Sequence, residues 1–226
     1  MKPHLFLFAL VIASSCTRVY FEQPQPKGGK ALTSFPEHLR GAYIADEDTF
    51  HIKANEFTYT EFFDRSITLA EINSSPFITI QDSLIFDKSS LDKNGWRFRN
   101  SDDTLHYRVK LRVRHILSDT LVLKTYDHFL VLNEREDKKD FWNTYLIEKF
   151  KNGDISIWSV GNFKTETNHD KKIKYEAELK DFYRVTEFKK IGDDEYLINP
   201  SLKEFKKLMK NGFFTKADTF RLISNR

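Results

Sequence analysis

The chain predicts a mainly β protein: an antiparallel meander forming a barrel or a sandwich, with one C-terminal helix. Three observations carry this. From residue 41 onward, apolar and polar residues alternate with a period of two in short runs, the pattern of half-buried strands. Gly, Asn and Asp punctuate those runs as hairpin turns require. Only one segment has good helix signals at both ends.

In chain order, strands are expected at residues 49–52, 56–59, 76–80, 84–86 and 96–98. The clearest lies at 104–118. There Leu105, Tyr107, Val109, Leu111 and Val113 take one face, and His106, Arg108, Lys110, Arg112 and Arg114 take the other. Further strands are expected at 121–124 and 129–133. Those at 144–150 and 155–160 flank Asn152-Gly153-Asp154, a hairpin signal because Asn and Gly tolerate the positive φ of a type I′ turn. Two more, 183–189 and 195–198, flank Gly192-Asp193-Asp194, and a last one at 219–223 would close the meander.

The helix follows Asn199-Pro200-Ser201. Leu202, Phe205, Leu208 and Met209 recur at helical spacing, Glu204 stands three residues after Ser201 as a capping box, and Asn211-Gly212 supply the stop. The stretch 171–181 fits a helix and a strand equally well.

Composition narrows the function classes. Thirty-six basic residues face 33 acidic ones, so the net charge of +3 gives no field that argues for nucleic acid. The 21 Phe set against 8 Gly and 6 Pro describe an aromatic-cored fold. Cys16 is the only cysteine, so no disulfide can form within the chain and the core alone must stabilise it.

The N-terminus reads as an export signal: Lys2, an apolar run at 5–13, then small residues. That run is short of the roughly 20 residues that span a bilayer. Ala13-Ser14-Ser15-Cys16 resembles the lipobox of bacterial lipoproteins, in a relaxed form similar to that of Bacteroidota; the departure is Ala13, where the commonest lipoboxes carry Leu or Val. The resemblance implies that the Cys16 thiol carries a diacylglycerol, that residues 1–15 are removed and that the new amino terminus is acylated. Several acyl chains anchor stably, at about 0.8 kcal/mol per buried methylene.

Residues 17–35 carry Pro24, Pro26, Gly28 and Gly29 among polar residues and read as an extended tether. The expected organisation is therefore a signal peptide at 1–15, a lipidated cysteine and flexible tether at 16–40, and a single β-rich domain at 41–226. The wording Phe21-x-x-Pro24-Gln25-Pro26-Lys27-Gly28, then Phe35-Pro36-x-x-Leu39-x-Gly41-x-Tyr43, is similar to the opening of Bacteroidota lipoproteins to which no activity attaches. The implied place is the outer membrane. With Glu22 the only acid soon after Cys16, the periplasmic face is favoured over the cell surface. A lipid-facing barrel is disfavoured, because charge is spread through nearly every expected strand.

The basic row His106, Arg108, Lys110, Arg112 and Arg114 is the sharpest functional candidate. Alternate residues project at roughly 7 Å spacing, which suits an anionic polymer, phosphate head groups or an acidic partner. The competing reading is a solvated face paired with cross-strand carboxylates. Aromatic residues offer a second candidate: Tyr43, Phe57, Tyr107 and Trp158 lining an apolar cavity, as in a lipocalin-like barrel. Its competitor is a filled core.

Catalysis has no signature. There is no Gly-x-Ser-x-Gly elbow, no His-Glu-x-x-His and no phosphate-binding loop. His51, His106, His115, His128 and His169 fall in no ligand-like spacing. Acidic clusters at 46–48, 134–140 and 193–195 fall in expected turns and match no EF-hand loop, so no metal or cofactor is expected. The expected function is a non-enzymatic, lipid-anchored envelope protein that binds a lipid, a glycan or a protein partner. The alternative is an envelope-associated hydrolase whose carboxylates converge only in three dimensions.

Overall fold

A computed structural model describes residues 16–88, 94–136, 139–160, 163–164, 179–180, 183–193 and 195–224. The export signal at 1–15, His169 and most of the 171–181 stretch lie outside the described residues. The elements run β1 (Cys16–Phe21), a 3-10 turn (Glu37–Leu39), β2 (Gly41–Ala45), β3 (Asp48–Ile52), β4 (Glu56–Thr68), α1 (Leu69–Ser74), β5 (Ile78–Gln81), β6 (Leu84–Asp87), β7 (Trp96–Ser101) and β8 (Thr104–Ile116). They continue with β9 (Leu121–Tyr126), β10 (Phe129–Arg135), β11 (Trp142–Lys149), β12 (Ile155–Val160), β13 (Phe163–Lys164), β14 (Phe188–Lys190), β15 (Glu195–Ile198), α2 (Leu202–Lys210) and β16 (Phe214–Ser224). The protein is mainly β with one C-terminal helix, as the sequence predicts.

The chain divides into two compact units. One, here the α2 unit, takes its described residues from positions up to 32, 119–148 and 156–217. The other, the ribbon unit, takes them from 33–118, 149–155 and 218 onward.

In the ribbon unit the strand order is β16-β2-β3-β4-β8-β7-β6-β5. Neighbours in this order pair antiparallel. The described strands of this order do not close on themselves, so of the two arrangements open to the sequence the closed barrel is not the one found. Its spine is the β4–β8 ribbon, in unbroken register from Glu56↔Ile116 to Thr68↔Thr104. Without a bulge the faces never swap, so the alternation read from the sequence persists along the whole strand. Aromatic rings supply the core: Phe57 meets Phe35 edge-on and packs on Phe50, which in turn packs on Phe220. A second cluster gathers Ile72, Ile85, Trp96 and Leu105.

In the α2 unit, β1 lies between β15, in parallel, and β11, antiparallel. β1 with β13, β14 with β15, β10 with β11 and β9 with β10 pair antiparallel. β10 continues the sheet from β11 to β9. Phe21, fully buried, stacks on Phe214 at 6.4 Å and meets Phe205 and Phe213 edge-on. Helix α2 forms as its sequence signals dictate: Ser201 and Glu204 make the reciprocal capping box, and Phe205 and Leu208 are buried.

The tether expectation for 16–40 is corrected by the structure. Val19, Tyr20, Phe21, Phe35 and Leu39 are all buried. The Pro-rich piece is bound by partners about a hundred positions away. Asn133 Nδ2 donates to Gln25 O (2.8 Å), its Oδ1 accepts from Gln25 N (2.7 Å), and Lys124 Nζ donates to Pro24 O (2.7 Å) and Pro26 O (3.0 Å). Proline supplies carbonyls but no N–H, so a side-chain donor takes the place of a neighbouring strand.

Candidate anionic-ligand face

The row on β8 is positioned by its register with β4. Arg114, Arg112, Lys110, Arg108 and His106 stand opposite Thr58, Thr60, Phe62, Asp64 and Ser66. All five basic residues are exposed, whereas Leu105 is buried and Tyr107, Val109 and Val113 are half-buried on the reverse side. Four alternate positions of one strand, Arg108 to Arg114, therefore present a cationic line about 20 Å long, at roughly 7 Å per step, with His106 one step beyond it.

Neighbouring strands widen the line into a face. Arg99 on β7 stands directly opposite His106, and Arg97, two residues away, shares its side. Both are exposed. On β3, His51 stands opposite Thr58 and joins the same side. The period of β8 alone could not reveal these additions, because they depend on the pairing of β7 and β3.

Carboxylates compensate part of this charge. Arg114 donates from Nε to Glu56 Oε2 at 2.7 Å and from its guanidinium tip to the same oxygen; Lys53 reaches Glu56 Oε1 at 2.9 Å. Hydrogen bonds from Lys53 and then Arg114 hold the Glu56 carboxyl below the ordinary range. Arg108 pairs with Glu47 and, at 3.6 Å, with Asp64. The Arg108 pairs are exposed on both sides and contribute little to stability, whereas Glu56 is buried between its two exposed cations. His106 Nδ1 lies 2.7 Å from Ser66 Oγ.

Lys110, Arg112, Arg97 and Arg99 have no carboxylate partner among the described residues. Phe62, half-buried, sits between the charges, with Lys110 Nζ and Arg108 Cζ each 5.6 Å from its ring centroid. That ring draws the two cations over an apolar floor. The face combines fixed charge and one half-buried aromatic ring, a set suited to binding, while Thr58 and Thr60 are themselves buried.

The other candidates do not gather into a site. Tyr43 is fully buried and its hydroxyl donates to Leu39 O at 2.7 Å; burial raises its pKa to about 12. Phe57 packs on Phe35 and Phe50, and Tyr107 stacks on Trp96. Trp158, in the α2 unit, meets Phe129 edge-on. These rings fill cores. His115 faces away from the basic row and stacks on Phe57 at 4.6 Å. Asp48 is structural: it accepts from the Tyr59 hydroxyl and from Phe62 N, both at 3.0 Å. Among the described residues no group of three His, Cys, Asp or Glu is close enough to hold a metal ion. Cys16 opens β1, opposite Lys164 of β13. No protein-family model, no curated protein and no solved structure matches this chain.

Proposed function

We propose that the chain is a lipid-anchored envelope protein of the outer membrane, facing the periplasm, that binds an anionic glycan across the basic face of its ribbon unit. The anchor rests on the lipobox resemblance at Cys16. The observation that supports the ligand is the set of exposed cations on β7 and β8 that have no carboxylate partner among the described residues, Arg97, Arg99, Lys110 and Arg112, set on a sheet face. A flat array at roughly 7 Å by 5 Å spacing suits an extended repeating anion better than a compact ligand. The Phe62 ring between the charges adds an apolar contact of the kind a sugar backbone uses.

Arg99→Ser, Lys110→Ser and Arg112→Ser, combined, remove only charges without carboxylate partners and leave the Glu56 and Glu47 pairs intact. Retention on a dextran sulfate column should fall to markedly lower salt. Vesicles of anionic phospholipid form the second arm, and stronger loss there than on the polysaccharide would assign the face to lipid head groups instead. Unchanged retention of the triple variant on both would sink the proposal.

A further inference from the structure

We propose a second site, separate from the basic face: the cleft beside α2 binds a phosphorylated small molecule of about sugar size. The cleft is an open one of about 500 Å³, lined among others by Lys27, Arg184, Lys203 and Lys207, with Glu187 and Glu204 as its carboxylates. None of the four cations has a carboxylate partner among the described residues.

Both carboxylates are already engaged. Glu204 Oε1 accepts from Thr186 N (2.9 Å) and Oγ1 (2.7 Å), and its Oε2 accepts from Ser201 N (2.8 Å) and Oγ (2.6 Å). Glu187 Oε2 accepts from Asn199 Nδ2 at 2.8 Å. The cleft thus keeps a surplus of positive charge, and its negative oxygens are turned to the protein's own donors. A phosphomonoester, at roughly −1.5 to −2 near neutral pH, complements that surplus.

The backbone supplies an independent observation. Six non-glycine residues have φ in the left-handed region: Asp46, Asp82, Ser83, Asp102, Asp127 and Arg184. The first five are short polar residues that tolerate this conformation in turns. Arg184, at φ +56°, is the long-chain exception and sits on the cleft. Its neighbour Val185 is fully buried and donates its N–H to Leu179 O at 3.0 Å, which holds the backbone in place. Glycine would adopt this conformation more cheaply, so the guanidinium is kept at a conformational cost, the mark of a group retained for binding. A planar fork lining the same cleft as three lysines is a suitable donor set for a tetrahedral phosphate. The volume lies within the roughly 300–1,000 Å³ of small-molecule sites, more than a bare ion fills.

The test is calorimetric titration of the full chain in detergent, at fixed ionic strength, with glucose 6-phosphate, inorganic phosphate and glucose as probes. Glucose 6-phosphate should bind at least about tenfold more tightly than inorganic phosphate, and glucose should not bind. Arg184→Gly should raise the melting temperature of the free protein, because the left-handed strain is relieved, and should weaken the sugar phosphate by about tenfold or more. Lys203→Gln with Lys207→Gln, which leaves the Ser201–Glu204 cap untouched, should weaken it similarly. Equal affinity for the two phosphates would overturn the assignment to a small-molecule ligand, and wild-type affinity in both variants would overturn the site. The Arg99, Lys110 and Arg112 substitutions leave this binding unchanged, so the two sites fail separately.

Discussion

The buried amide of Asn133 does for residues 24–26 what an adjacent strand would do. Its oxygen and nitrogen meet the N–H and C=O of Gln25, and Thr144 Oγ1 donates to the same oxygen at 2.9 Å. Removing one side of such a set leaves backbone groups buried without partners, at about 1–3 kcal/mol each. Asn133→Leu, similar in size, should therefore lower the unfolding free energy by about 2–4 kcal/mol in urea denaturation. Thr144→Val removes one hydrogen bond and should cost only about 1 kcal/mol. A loss below that for Asn133→Leu would mean that the Pro-rich segment is not held by this contact. Nothing near Gln25 in sequence could have announced the arrangement, because its partner stands 108 positions away.

At the scale of elements, local signals explain what could be read and what could not. Helix α2 was legible because its cap, its apolar spacing and its stop lie within twelve residues. Helix α1 carries the same reciprocal box, Thr68 with Glu71, but has only six residues and one buried side chain, Ile72. Two turns with one apolar anchor give no periodicity to detect. Strand β4 runs to Thr68, well beyond the expected 59, because the adjacent Phe62 and Phe63 break the alternation that marks a strand. The basic row was legible because β8 alternates without interruption, while the share of Arg97 and Arg99 depended on pairing.

The α2 cap also makes a pH prediction. Burial alone would raise the Glu204 carboxyl, but hydrogen bonds from Ser201 and Thr186 outweigh it and hold it at about 2. A carboxyl lowered on folding stabilises the native state above its unfolded value, near 4.5, and that stability is lost as pH falls toward 2. Because the group is only partly buried, solvent screening reduces the gain to about 1–2 kcal/mol. Glu204→Gln should flatten the fall in stability between pH 4.5 and pH 2 in chemical denaturation, while lowering stability at pH 7. A slope identical to that of the wild type would show that the cap is not linked to acid unfolding.

At the scale of the whole molecule, residues 16–40 decide how the proposed anchor relates to the fold. As an extended tether, residues 17–35 alone would hold the domain up to roughly 60 Å from the lipid. Instead β1 begins at Cys16, and Val19 is already buried. Three residues of strand leave about 10 Å of slack between an acylated cysteine and the α2 unit's core. The same segment also serves the ribbon unit, where Phe35 and Leu39 are buried and Phe35 N donates to Ala54 O at 2.6 Å. Deleting residues 17–40, so that Cys16 joins Gly41, tests this directly. The deletion removes Phe21 from one core and Phe35 from the other. Each is worth about 3–5 kcal/mol by the cost of truncating a buried Phe to Ala. It also removes a strand flanked by pairs on both sides. Against a total stability of about 5–15 kcal/mol, the remainder should not fold cooperatively. Circular dichroism should show no sigmoidal melt, and limited proteolysis should leave no resistant fragment of 41–226. A sharp melt and a protected fragment would instead return residues 16–40 to the role of a removable tether, with the β-rich domain complete from residue 41.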